Sequence, residues 1–465
     1  MKNIYIDLFA GCGGLSLGCK TAGFNLGFAV EKSDMAGETF YHNFIKHLTS
    51  EQEWEKYLLK KPIEQLKSKL FIDETVRLLE NKELLNEMKG MFGEVSLIAG
   101  GPPCQGFSLA GKRNPKDHRN QLPWQFLEYV EIFKPKVVLM ENVVGMRRRF
   151  NKHDEDAPFS QIKSLLESGF GENEDETKYV VQELELNAMH YGVPQHRPRV
   201  FLLGIRKDIA DEKGLYASDE IWYSKDYYKG IIASPLCPKP IMEDGTFYKV
   251  QDAIADFLND DLRSNAYLKA LNEDSSFRKV INKNTSTLAN NNERKHTEKV
   301  EARFRLYQYF SQNGVTNKIF NMAAKYNISK STEEKSLLAK EIEKCKFPAV
   351  SNDGVVIAKT KDELFEVVLE LSTKKHSQRP LNIEAPSPTV VSIADDVIHP
   401  VYPRIPTVRE QARFQSFPDY FEFRSKETTG GIKRRTEVPQ YTQVGNAVPP
   451  LMAKAIAEHI MGLIS

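Results

Sequence analysis

The sequence predicts an α/β fold built on a mostly parallel sheet with helices on both faces, joined to a smaller second domain. Three observations predict it. Short runs rich in β-branched and aromatic residues alternate with segments of helical period over the first 205 residues. Four of those runs close on chemically distinctive residues, namely Gly11-Cys12-Gly13-Gly14, Glu31, Pro102-Pro103-Cys104 and Glu141-Asn142. The chain has 465 residues, too many for one hydrophobic core, since single cores stop growing near about 300 residues.

Taken in order, residues 4–9 form a strand-like run that ends in a Gly-rich turn, and residues 15–21 read as a helix. Residues 24–30 are a second strand ending at Glu31, followed by a helix from Ala36. Residues 51–92 carry Glu, Lys and Leu at helical spacing and read as an inserted helical stretch. Residues 95–99 are a strand closed by Gly100-Gly101-Pro102-Pro103. Residues 122–133 read as a helix, and 137–140 as a buried strand closed by Glu141-Asn142. The acidic stretch 151–178 reads as a solvated helix and loop, and 179–186 and 199–205 as two more strands. This alternation is that of a parallel sheet covered on both faces.

From residue 206 to about 395 the alternation is lost. Residues 277–330 hold eleven Lys or Arg against three Glu, a local excess of eight positive charges in a chain whose total is +1. The remainder is therefore acidic, and a wholly basic nucleic-acid binder is excluded while a basic groove is not. Phe304, Tyr307, Tyr309 and Phe310 interleave with those cations. A helical segment follows Thr407, and a terminal helix begins near Pro449. The expected domains are 1–205, a smaller irregular unit at 206–405, a supporting segment at 406–440, and a segment at 441–465 that returns to the first. Five cysteines without metal-site spacing point to a reducing, cytoplasmic setting and to no metal centre. Apolar runs such as 200–205 fall short of the roughly 20 residues that span a bilayer, and Asp7 interrupts the first one, so neither a membrane span nor a signal peptide is expected.

Ligands of open α/β sheets sit outside the carboxyl ends of the strands, so the four strand ends share one edge. The loop at Gly11 lacks a dinucleotide fingerprint, because Ser16 stands where the third glycine belongs. Glu31, twenty residues on, suits a ribose diol, and a nucleoside cofactor without a diphosphate fits better than a dinucleotide. Cys104 is held by the extended Pro-Pro pair. It reads either as a buried small hydrophobe or, given a nearby cation, as a nucleophile. Glu141, at the mouth of an apolar strand, is a candidate for a raised pKa and proton donation, or else a capping carboxylate. Arg197 and Arg199 alternate before an apolar strand, in position to clamp an anion or a base. The loop from Gly106 to Arg119, with Lys112, Arg113 and Lys116, suits a lid over phosphates.

With these motifs in place, the chain resembles the DNA (cytosine-5) methyltransferases of bacterial restriction–modification systems, a branch of the class I S-adenosylmethionine-dependent enzymes with a Rossmann-like sheet. Asp7-Leu-Phe-Ala-Gly-Cys-Gly-Gly14 is similar to that family's cofactor loop, Glu31 to its ribose acid and Gly101-Pro-Pro-Cys-Gln-Gly-Phe-Ser108 to its nucleophile motif. Glu141-Asn-Val143 and Gln195-His-Arg-Pro-Arg199 are similar to the two motifs that hold the target base. Arg409-Glu-Gln-Ala-Arg413 with Phe417-Pro-Asp419 is similar to the segment that supports the recognition domain, and Gln443-Val-Gly-Asn446 to the motif that returns to the cofactor. The motifs follow the family's order from residue 7 to 450. Two departures stand out: Lys32 where an aromatic residue is frequent, and no evident acid for the cofactor adenine, for which Asp73 is the candidate.

The resemblance implies S-adenosylmethionine as cofactor, held by Asp7, Phe9, Ala10, Gly11, Gly13, Gly14, Leu15, Glu31, Pro103, Leu122, Asn446 and Ala447. It implies Cys104, Glu141, Arg197 and Arg199 as catalytic residues, and Gln105, Ser108, Lys112, Arg119 and Gln195 as DNA contacts. The partner implied is double-stranded DNA, bound by a monomer with no obligate protein partner, and the activity one that protects host DNA from a cognate restriction enzyme. Two alternatives remain open on sequence, a tRNA methyltransferase of the same family and a non-catalytic DNA-binding relative. The large insert favours DNA over the first, and intact Cys104, Glu141 and Arg199 disfavour the second. A Rossmann oxidoreductase leaves Cys104 unexplained.

Overall fold

The computed structural model describes residues 3–103, 121–147, 157–170, 177–231, 233–258, 265–281, 288–373, 375, 378–431, 433 and 436–465. Its frame is an eight-stranded sheet made of β1 (Ile4–Leu8), β2 (Asn25–Glu31), β3 (Leu70–Ile72), β4 (Val95–Gly100), β5 (Val137–Asn142), β6 (Tyr179–Asn187), β8 (Pro198–Arg206) and β9 (Trp222–Tyr223). A two-residue strand, β7 (Gln195–His196), lies outside it and pairs with Ser387–Pro388. The order across the sheet is β3-β2-β1-β4-β5-β8-β6-β9. Neighbours run parallel, except that β8 is antiparallel to both β5 and β6. The order reverses beside β1, which places a ligand crevice at the carboxyl ends of β1, β2 and β4.

The strands read as continuous apolar runs because both faces are covered. Tyr5, Leu97, Ala99, Val137 and Leu139 face one layer, and Ile6, Leu8, Ile98, Val138 and Met140 the other. Burying each large aliphatic side chain stabilises the fold by about 1.5–3 kcal/mol. The covering helices include α1 (Gly14–Thr21) and α2 (Asp34–Phe44). In the inserted stretch, α3 (Glu51–Leu58), α4 (Pro62–Lys67), α5 (Thr75–Leu79) and α6 (Lys82–Phe92) follow the predicted helical texture. The strand β3 in their midst is a departure from it. Leu70 and Phe71 are buried by pairing with β2, and tertiary pairing overrides a Lys-rich helical context. Next come α7 (Leu122–Phe133) and α8 (Pro158–Ser168), and α8 buries Phe159, Ile162 and Leu166 where a solvated helix was expected.

The boundary expected after residue 205 falls inside the sheet unit. Helix α9 (Lys207–Lys213) and β9 follow it, and Ile209, Trp222, Leu236 and Cys237 join the core on one sheet face. The region expected to be irregular is largely helical: α10 (Val250–Leu258), α11 (Ala266–Asn272), α12 (Ser275–Val280), α13 (Glu298–Gln312), α14 (Ile319–Ser329), α15 (Thr332–Ile342) and α16 (Lys361–Glu370). Phe304, Tyr307, Tyr309 and Phe310, expected to interleave with cations on a nucleic-acid surface, are buried as the core of this unit. Their spacing along α13 is a core stripe.

Helix α17 (Val408–Phe414) joins the same core, and α18 (Gln440–Asn446) and α19 (Pro450–Ile464) close the chain. The run Gln440–Ile464 is long and apolar enough by length and composition to cross a membrane. It is interrupted at 447–449, and Met452, Ala453, Ile456, Ala457 and Ile460 are buried against the sheet unit, so it is a core element of the fold. Gly18 lets α1 and α19 approach closely: a Cβ there would lie 2.4 Å from Ala453.

Candidate active site

The cofactor loop begins where β1 ends. Phe9 has φ 61°, Gly11 57° and Gly13 95°, so the chain folds back at once into α1. The turn is closed by Gly13 N donating to the Ala10 carbonyl at 3.0 Å and tied to β2 by Ala10 N donating to Val30 at 3.0 Å. At the end of β2, Glu31 accepts from Gly11 N through Oε2 and from Ser33 N through Oε1, both at 2.7 Å. A carboxylate has about four acceptor sites, so capacity remains beyond these backbone donors for a ribose hydroxyl. Burial raises the Glu31 pKa and the backbone donors oppose it. A Cβ on Gly11 would meet nothing within 4 Å, so the loop faces open space. These features fit a nucleoside cofactor, with Phe9, Gly11, Gly13 and Glu31 around it.

Other residues expected at the cofactor play supporting parts. Asp7 is buried and accepts from Ser16 Oγ at 2.5 Å, and Tyr5 Oη donates to the same hydroxyl at 2.9 Å. It therefore braces the base of α1. Burial pushes its carboxyl up to about 7. Ala10 and Leu15 are buried, Leu122 opens α7 half-buried, and Pro103 is exposed. Gly14 is required by proximity: a Cβ there would lie 2.2 Å from the Val448 carbonyl. The segment holding exposed Asn446 and buried Ala447 is thereby brought onto the loop. Asp73, the candidate for the adenine, follows β3 directly, exposed on the edge that carries Glu31.

Across the edge, Glu141 is the penultimate residue of β5. Its Oε1 lies 3.2 Å from Arg199 Nε on the neighbouring antiparallel strand β8. Both side chains are mostly buried, at 14% and 12% exposure. Burial raises the Glu141 pKa, and Arg199 and then Arg197 pull it back. The carboxyl is thus oriented by a cation and holds a proton more readily than a free carboxyl does. A Cβ on Gly101 would come 2.8 Å from Glu141 Oε2, so glycine there lets the nucleophile loop pass over the carboxyl. Asn142, buried beside it, donates from Nδ2 to the Pro102 carbonyl at 3.0 Å. The sequence shows Asn142 only as the neighbour of Glu141, and no signal in it reveals this tether. Cys104, Gln105, Ser108, Lys112 and Arg119 lie outside the described residues.

Two expected site residues are placed elsewhere. Arg197 is fully buried, and its guanidinium donates to the carbonyls of Val390 (3.1 Å), Gly445 (3.0 Å) and Ala447 (2.9 Å). It clamps the C-terminal segment, and only Arg199 of the pair meets Glu141. Gln195, expected on DNA, is also buried: it donates to the Phe414 carbonyl and Gln415 Oε1 and accepts from Val390 N. Both precede β8, where the chain passes under the segments at 390, 414–415 and 445–447, whereas Arg199 lies within β8 opposite the end of β5. Gln443 plays a similar part, accepting from Thr39 Oγ1 at 2.7 Å and donating to Met35 and Arg424 carbonyls, which fixes α2 to the C-terminal segment.

Buried charged residues in α17 and just before it form an ionic core. Glu410 takes a bidentate pair from Arg404 (2.7 and 2.9 Å) and a bond from Thr407 N (2.7 Å). Arg404 and the neighbouring His399 hold its carboxyl down to about 2 against burial. Arg413 bridges Asp256 and Asp419 at 2.6 and 2.7 Å, joining α10 to the loop after α17.

Comparison with known proteins follows the same lines. The family profile for C-5 cytosine-specific DNA methylase matches residues 4–462. The chain is 30% identical to type II methyltransferase M.DdeI of Desulfomicrobium norvegicum over 98% of this chain and 88% of that one. It is 26% identical to type II methyltransferase M.AgeI of Thalassovita gelatinovora over 99% of each. In structure it is similar to a presumed DNA modification methyltransferase encoded within an E. coli prophage, with TM-score 0.58, 23% identity and 99% of both chains covered, a likeness of fold.

Proposed function

Because the chain belongs to the C-5 cytosine-specific DNA methylases, we propose that the sheet edge between Glu31 and Arg199 is where its chemistry occurs. The enzyme is a DNA (cytosine-5) methyltransferase that uses S-adenosylmethionine. The observation that carries the site assignment is the Glu141–Arg199 pair at 3.2 Å, beside the loop that leads into Cys104.

In this reading the Cys104 thiolate adds to carbon-6 of cytosine, which makes carbon-5 nucleophilic. Glu141, kept protonated more readily than an ordinary carboxyl, donates to ring nitrogen 3 and accepts from the exocyclic amine. Arg199 orients that carboxyl and adds positive field for the thiolate, whose ordinary pKa is about 8.5. Bound S-adenosylmethionine supplies the electrophilic methyl group. The carbon-5 proton is then lost to solvent, its bonding pair expels the Cys104 thiolate from carbon-6, and nitrogen 3 returns its proton to Glu141. A stacked cytosine is out of reach of these groups, so it is flipped from the duplex at a cost of a few kcal/mol. Phosphate contacts from the 106–119 loop and from the helical unit offset that cost. Arg197 and Gln195 act as positioning residues.

The domains of this reading are a catalytic unit through about residue 240 and a recognition unit of α10 to α16. The segment around α17 supports that unit, and the terminal segment belongs to the cofactor site. The protein works as a monomer on double-stranded DNA in the cytoplasm and marks a short site against a cognate restriction enzyme. Bisulfite sequencing of DNA from cells expressing the chain tests it. Protected cytosines in one short sequence, absent with Cys104→Ala, are expected; identical patterns from both would overturn the assignment.

A further inference from the structure

A cavity of about 650 Å3 lies at the outer edge of the sheet between β9 and α19, and it shares no lining residue with the candidate active site. Trp222 lines it, 5% exposed, and its indole Nε1 is buried with no acceptor among the described residues. His459 on α19 lines it too, and its Nε2 is likewise buried without a partner. Buried polar groups left unpaired are uncommon and costly, so the Trp222 N–H and a ring nitrogen of His459 on one cavity point to a ligand that completes them. The mouth is apolar and aromatic: Tyr216, Tyr227, Ile231 and Ile241 are 43–61% exposed. The charged lining consists of Lys239 and Glu458, of opposite sign, which suits neither a phosphate nor a polycation.

We propose that this cavity binds an uncharged heteroaromatic ring system of purine size, stacked on its aromatic walls with a ring carbonyl or ring nitrogen accepting from Trp222 Nε1. Its volume is within the range of about 300–1,000 Å3 typical of small-molecule sites. Offset stacking on Trp and Tyr supplies much of the affinity, and the acceptor fixes the orientation. Burial holds the His459 imidazole below its usual pKa. At neutral pH it is uncharged and offers one donor or acceptor to the opposite ring edge.

Caffeine is the probe, since it carries carbonyl acceptors on a purine ring and no N–H donor. The full chain is saturated with S-adenosylhomocysteine to block the cofactor site, and the indole N–H signals of its three tryptophans are followed by NMR. Caffeine should move the one signal that Trp222→Phe removes and leave those of Trp54 and Trp124 in place. Measured by saturation transfer, Trp222→Phe should weaken caffeine about tenfold, because it deletes one buried donor and keeps the ring. Ile241→Asp, at the exposed rim, should weaken it comparably with Tm unchanged, and it decides the matter alone if Trp222→Phe fails to fold. Indole, which lacks the acceptor, should bind at least about tenfold more weakly than caffeine. A stationary Trp222 signal, or caffeine binding indifferent to Ile241→Asp, would overturn the proposal.

Discussion

Asn142 holds the Pro102 carbonyl at 3.0 Å through its side-chain amide, while the residue before it, Glu141, meets Arg199 at 3.2 Å. One strand end therefore fixes both the Glu141 carboxyl and the segment that leads into Cys104. Asn142→Ala leaves a buried carbonyl without its donor, at a cost of about 1–3 kcal/mol. Single-turnover methyl transfer should fall about tenfold or more, with affinity for S-adenosylmethionine unchanged. A rate within about twofold of the parent enzyme would show the tether to be incidental.

Arg197, just before β8, and Arg199, within it, should separate cleanly. Arg197→Met strips donors from three buried carbonyls and should lower stability by about 3 kcal/mol or more, read as a lower Tm. Arg199→Gln should keep Tm nearly unchanged and lower tritiated methyl incorporation by about 10²-fold or more, the scale of a disturbed proton-transfer group. Arg197→Met with full stability and no turnover would return Arg197 to the substrate.

Glu31 bonds Gly11 and Ser33 and stands at the end of β2. Glu31→Ala should weaken S-adenosylmethionine about 10–100-fold in calorimetry, the worth of hydrogen bonds to a charged group. DNA affinity measured without cofactor should not change. Unaltered cofactor affinity would remove Glu31 from the site.

Asp7 makes stability depend on pH. Its carboxyl ordinarily titrates at 3.8 and in the fold is pushed up to about 7 by burial. Between those values the folded chain holds a proton that the unfolded chain has released. Stability is therefore fully present below the lower value and falls as pH rises toward the upper one. Asp7→Asn should remove this dependence, so that the variant's Tm gains on the parent's between about pH 4 and pH 7, by an effect on the order of a few kcal/mol. Parallel pH–Tm curves would show that Asp7 is ionised in the fold.

The basic stretch of the helical unit is less uniform than its charge count. Arg294 is engaged with Asp395 at 3.3 Å, and Arg305 with Asp353 at 2.8 Å. Lys279 and Lys295 are exposed, while Lys283 lies outside the described residues. Neutralising Lys279 and Lys295 together should flatten the slope of log affinity against log salt by about 1.8 if both meet phosphates. It should weaken specific and random duplexes alike. An unchanged slope would mark them as solvated surface.

The sequence by itself determined the sheet strands that carry apolar runs, the residues at their mouths and the order of the motifs. Those features are local: an unbroken Val-Val-Leu-Met before Glu141 suits a strand buried on both faces, and glycines at 11 and 13 suit a turn, with Gly14 opening α1. Tertiary structure decided what depends on distant partners. Strand β3 exists because β2 offers an edge, though its sequence neighbours are helical. Trp222 and Tyr223 extend the sheet because β6 lies beside them, which carries the sheet unit past residue 205. Phe304, Tyr307, Tyr309 and Phe310 are core rather than stacking surface, because α13 turns them inward. Arg197 and Arg199 are two letters apart and equal in charge, yet one meets Glu141 and the other clamps carbonyls at 390, 445 and 447. Sequence spacing places side chains on a face of a strand, and only the packing of segments some 200 residues away settles what that face meets.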